Sequence, residues 1–95
     1  MPIDEKLLQK ARETPGGVRF DDACKLAVQL GFEFARQEGS HSIYQHSRGA
    51  ELREQFQRPL NLQEGKNGQA KAYQVRQMLQ MAEALGIIER EEKES

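Results

Sequence analysis

The sequence predicts an α+β domain with a three-stranded antiparallel sheet, helices packed on one face, and the order α-α-β-β-β-α. Three observations carry this. The apolar spacing is about four residues up to Leu30, two from Phe32 to His46, and about four again after Ala70. The connections between the central segments are short, which suits a meander. The chain is 95 residues long, which is enough for one domain only.

In chain order, Asp4 is placed to cap a first short helix, with Ile3 and Leu8 spaced as a hydrophobic staple. Leu7, Leu8 and Ala11 form a thin apolar stripe, and Pro15-Gly16-Gly17 stops the helix. Alone it is too short to persist, so it must dock. Phe20, Ala23, Cys24, Ala27 and Leu30 mark the buried face of a second helix. Asp21 and Asp22 suit its positive N-terminal end, and Gly31 reads as its C′ glycine. Phe32 and Phe34 then alternate with Glu33 and Ala35, and Glu38-Gly39 is a turn. Ser40 to His46 reads as a second strand and Phe56 to Gln63 as a third, with Pro59 demanding an edge or a bulge. Ala72, Val75, Met78, Leu79, Ala82 and Leu85 share one face of a closing helix, with Gly86 at its end. The division this predicts is a leading helix and linker at 1–17, a main domain at 18–88 and an acidic tail at 89–95.

Composition excludes several classes. Hydrophobic residues are 37% and charged residues 31%, so the chain is neither disordered nor collagen-like. No apolar run is long enough for a membrane span or a signal peptide. The single Cys24 excludes an internal disulfide or a thiolate cluster, and fits a reducing, cytoplasmic setting. Cys24 lies on an apolar helix face, as a buried small hydrophobe would. The net charge of −1 conceals an uneven distribution. Seven Lys/Arg against four Asp/Glu lie between Phe34 and Ala82, whereas Glu89 to Ser95 hold four Glu against two basic residues. Eight of the eleven glutamines lie between Gln45 and Gln80, a neutral supply of donors and acceptors for bases, riboses or water.

Both histidines of the chain lie in GSHSIYQH, residues 39–46. Histidine is the side chain best suited to proton transfer near neutral pH. His41 and His46 are five apart, so on a strand they face opposite sides. If Ile43 points inward, Ser42, Tyr44 and His46 share the open face; if Tyr44 points inward, the assignment inverts and His41 is open. No metal is expected, because no cysteine or suitably placed carboxylate completes a ligand set, and no cofactor motif is present. GKNGQAKAYQVRQ leads into a helix start where free backbone amides, Lys66, Lys71 and Arg76 suit a phosphate.

VRFDDACKLAVQLGFEFARQEGSHSIYQH followed by LNLQEGKNGQAKAYQVRQML resembles the HicA, or YcfA-like, toxin family. The resemblance runs from Val18 to Leu85 and rests on two separated motifs in order, with Gly31-Phe32 and Gly39-Ser40-His41 in the first. It implies a fold like double-stranded-RNA-binding domains. It also implies the toxin of a type II toxin–antitoxin pair: a metal-independent mRNA endoribonuclease, neutralised by a HicB-like antitoxin through which it could oligomerise. The family's catalytic histidine lies in a Gly-Ser-His-His stretch, and Ser42 stands here where the second histidine would be. The resemblance therefore points to His41 as general acid or base. Ser40, Ser42 and His46 stand as its neighbours, and Arg36, Lys66, Lys71 and Arg76 as RNA-binding residues. The same residues leave open a non-cutting RNA-binding module, or an inert toxin that still pairs with its antitoxin.

Overall fold

A computed structural model describes residues 2–53, 55–56 and 58–90. It contains helix α1 (Glu5–Glu13), helix α2 (Phe20–Gln29), strands β1 (Phe32–Glu38), β2 (His41–His46) and β3 (Leu60–Gln63), and helix α3 (Ala72–Ala84). Short 3-10 turns occupy Pro15–Gly17, Gly49–Leu52 and Lys66–Gly68. The sheet is antiparallel in the order β1-β2-β3. The α+β class, the element order and the meander are those the periodicity predicts.

The first helix forms as its cap requires: Asp4 Oδ1 accepts the Leu7 N–H at 3.1 Å. Leu8 and Ala11 dock it into the same apolar cluster that holds Ala23, Leu26 and Ala27 of α2, its C-cap Leu30, and Val75, Met78 and Ala82 of α3. Phe32, Tyr44, Leu60 and Leu62 supply the sheet's side of that cluster. Each large side chain buried there contributes about 1.5–3 kcal/mol. Met78 and Met81, 0% and 1% exposed, fill core space.

Two expectations change. The third strand begins at Leu60, not Phe56; Pro59 precedes it because proline cannot donate to the ladder. Cys24 is only half-buried, beside the Tyr44 hydroxyl. Burial pushes its thiol up from the ordinary range. Gln74, which shares a helical stripe with Met78, Met81 and Leu85, is 1% exposed. Residues 91–95, the bulk of the expected acidic tail, lie outside the described residues.

β1 and β2 form a hairpin closed by Gly39 and Ser40, with Gly39 at φ +61°. Cross-strand partners share a face, so the register assigns the faces. Phe32 pairs with His46 and Phe34 with Tyr44, so the four share the face that the helices cover at Phe32 and Tyr44, with Phe34 itself 51% exposed. The register then slips between Phe34 and Arg36, so Arg36 pairs with Ile43 and Glu38 with His41. This bulge turns Arg36 away from the side that Phe32 and Phe34 occupy. On β3, Leu60 and Leu62 face inward while Asn61 and Gln63 face outward. The open face thus carries Arg36, Glu38, His41, Ile43, Asn61 and Gln63.

Candidate active site

The inward residue of β2 is Tyr44, which belongs to the core cluster; Ile43, although only 7% exposed, lies outside that cluster on the other face. Of the two assignments the sequence allows, the structure has the one that leaves His41 on the open face. Its nearest polar partner is on the neighbouring strand: His41 Nδ1 lies 3.0 Å from Asn61 Oδ1. An amide oxygen only accepts, so Nδ1 carries the proton and donates. The neutral ring then keeps its lone pair on Nε2, for which the described residues record no partner. A partly accessible imidazole with one nitrogen anchored and the other bearing a lone pair is the arrangement a general base needs.

Around it, Gln63 Nε2 donates to Ser40 Oγ at 2.9 Å, which ties the hairpin turn to β3. The Gln63 N–H in turn donates to Gln74 Oε1 at 2.7 Å, and Gln74 Nε2 donates to the Tyr73 hydroxyl at 3.3 Å. Gln74 is therefore a satisfied buried polar side chain that fastens the end of β3 to the start of α3. Arg36 shares the face with His41 and makes an exposed ion pair with Glu38 at 3.0 Å. Lys66 and Lys71 lie on the segment from the end of β3 to α3, at the same end of the sheet as His41. Lys71 is the N-cap residue of α3, and its stem packs over Gly65, where an added Cβ would meet Lys71 Cγ at 3.5 Å.

The structure does not bring Ser42, His46 and Arg76 to this place. Ser42 is 7% exposed and turned toward the helices, with its hydroxyl donating to Gln37 Oε1 at 3.0 Å. His46 is on the same covered side as Ser42, roughly 17 Å along the strand from His41. Its Nε2 donates to Leu30 O at 3.1 Å and its Nδ1 accepts the Arg48 N–H at 3.0 Å. The ring also meets Phe32 edge to face, with centroids 5.0 Å apart. Arg76 lines a groove between α1 and α3 with Arg12, Leu79, Glu83 and Arg90, away from the open face.

Asn61, Gln63 and Gln74 were not among the residues singled out from the sequence. The alternation of Leu60-Asn61-Leu62-Gln63 is the signal that could have found the first two. It places two amides side by side on whichever face the leucines vacate.

Among the described residues, no group of three His, Cys, Asp or Glu could hold a metal ion, and no helix is long and apolar enough to cross a membrane. No curated protein and no solved structure matches the chain. The family described as the HicA toxin of bacterial toxin–antitoxin systems matches residues 20–87, well over half the chain. That span holds the whole sheet and both helices packed on it, including the Gly31-Phe32 and Gly39-Ser40-His41 motifs, so the chain belongs to the HicA toxin family.

Proposed function

We propose that this toxin is a metal-independent endoribonuclease that cuts mRNA, with His41 as its general acid or base. The observation that carries the reading is the partly accessible His41 ring on the open sheet face, anchored through Nδ1 and with no partner recorded for Nε2 among the described residues. In the proposed step, Nε2 takes the proton of an RNA 2′-hydroxyl. The 2′-oxygen attacks the adjacent phosphorus, and the bond to the 5′-oxygen breaks. That oxygen takes up a proton from solvent and the His41 ring returns its own to solvent, leaving a 2′,3′-cyclic phosphate and a free 5′-hydroxyl. No metal or cofactor enters the balance. Arg36, Lys66 and Lys71 would hold the phosphates, with Ser40 at the same end of the sheet. Arg76, on its separate groove, would contact more distant RNA.

The structure also bears on the departure at Ser42. A side chain at that position is turned under the helices, whereas His41 is partly accessible, which supports the choice of His41. A HicB-like antitoxin is the expected partner, in the cytoplasm, and the toxin could oligomerise through it.

The test uses pure protein, labelled RNA and excess chelator. Wild type is expected to cut and to leave cyclic phosphate ends, and His41→Ala to leave the RNA intact. Equal cutting by the two would remove His41 from the mechanism. One observation favours a second reading, a chain that binds RNA or antitoxin without cutting: Arg36 is already neutralised by Glu38. A shifted but intact RNA band with wild type would select it.

A further inference from the structure

Among the described residues, Asn61 is the one side chain hydrogen-bonded to the His41 ring, and that bond has a chemical consequence. We infer that Asn61 is a positioning residue: its Oδ1 locks His41 in the Nδ1–H tautomer and aims the Nε2 lone pair away from the sheet. The inference deepens the proposed ribonuclease function and rests on it for its catalytic meaning. The hydrogen bond itself, 3.0 Å between His41 Nδ1 and Asn61 Oδ1, does not depend on that function.

The geometry has a built-in reason to be firm. Asn61 pairs with Ile43 across the β2–β3 ladder, so its backbone is held while its side chain reaches along the face to His41. Leu60 and Leu62, 1% and 0% exposed, pin β3 on either side. Without an acceptor at Nδ1, the ring is free to rotate and to shift its proton to Nε2, which would hide the lone pair from substrate. A neutral amide does this without stabilising the protonated ring, as a carboxylate would. The charged groups on the face beside His41 are Glu38, its cross-strand partner, and Arg36, which is paired to Glu38, with Lys66 and Lys71 following β3 at the same end of the sheet. β3 presents only the amides Asn61 and Gln63, so Asn61 acts beside a charge pair that is already balanced.

The experiment is nitrogen–proton correlation of the histidine rings in folded wild type, Asn61→Leu and Asn61→Asp, with RNA cleavage measured on the same samples. Wild type is expected to carry the His41 proton on Nδ1. Asn61→Leu should move it wholly or partly to Nε2 and slow cleavage about 10- to 100-fold, part of the 10²–10⁴-fold that general acid–base catalysis supplies. Asn61→Asp should keep the proton on Nδ1. It should also move the rising limb of the pH–rate profile upward by about one unit, because a carboxylate favours the protonated ring. His46, held in the opposite tautomer, is the internal reference and should not change. An unchanged Nδ1–H signature in Asn61→Leu, or an Nε2–H ring in wild type, overturns the inference. Wild type that fails to cut RNA overturns the ribonuclease reading instead, and the tautomer measurement still decides the role of Asn61.

Discussion

The two histidines of one strand make opposite uses of the same ring. His46, on the covered face, spends both nitrogens on structure. It donates to Leu30 O at the end of α2 and accepts the Arg48 N–H at the start of the next turn. His41, on the open face, commits one nitrogen to Asn61 and leaves the other available. Five residues on a strand of period two put them on opposite faces, and the faces decide their chemistry. A histidine held at both nitrogens is a tie between elements; one held at a single nitrogen can exchange protons.

Substitutions at the two sites should therefore separate activity from stability. The largest effect is expected at His41. His41→Ala should lower RNA cleavage by about 10²–10⁴-fold while leaving the thermal midpoint close to wild type, read by cleavage assay and calorimetry side by side. A large fall in the midpoint would mean that His41 also holds the fold, and the contrast with His46 would collapse.

Next comes Gly31, which fixes the setting of His46. Its φ is +95°, and an added Cβ would lie 2.6 Å from His46 Nε2. Gly31→Ala combines left-handed strain of about 1–2 kcal/mol with displacement of the ring from Leu30 O. Denaturant unfolding should show a total loss of about 2–3 kcal/mol. His46→Ala should cost about 2 kcal/mol by losing the packing on Phe32 and two hydrogen bonds, with the cleavage rate of the folded fraction retained. A cleavage loss as deep as that of His41→Ala in fully folded His46→Ala would break the comparison.

A smaller effect is expected at Ser42. Ser42→Ala removes only the bond to Gln37 Oε1, so about 1 kcal/mol is at stake, and toxicity on induction in cells should persist. The mildest test concerns Cys24. Burial raises its thiol, so at neutral pH the reactive thiolate is scarcer than in a free cysteine. Alkylation of the folded protein should be slower than that of the unfolded chain and should accelerate as pH rises. Alkylation at equal rates folded and unfolded would contradict the packing of Cys24 beside Tyr44.

The helices were legible because their signals are local. A capping aspartate, apolar residues three and four apart, and glycine at a helix end act within one or two turns, whatever surrounds them. The third strand was less so: Phe56 and Pro59 extended an apolar pattern beyond the ladder that the backbone can pair. The separation of His41 from His46 was equally readable, since strand alternation needs no tertiary partner. Which of them faces outward was not, because Ile43 and Tyr44 are both plausible core residues on a strand.

From the sequence alone came the α+β order, the helix limits to within a few residues, and two histidines on opposite faces of one strand. The tertiary structure decided the rest. Packing of α2 and α3 against Phe32, Tyr44, Leu60 and Leu62 chose the covered face. The slip between Phe34 and Arg36 brought Arg36 to the face of His41, and the β2–β3 register brought Asn61 within hydrogen-bonding distance. These outcomes depend on contacts between residues 20 positions apart or in different elements. Local propensity carries no information about such pairs; burial of the apolar face and completion of the hydrogen-bond ladder select them only when the whole domain folds.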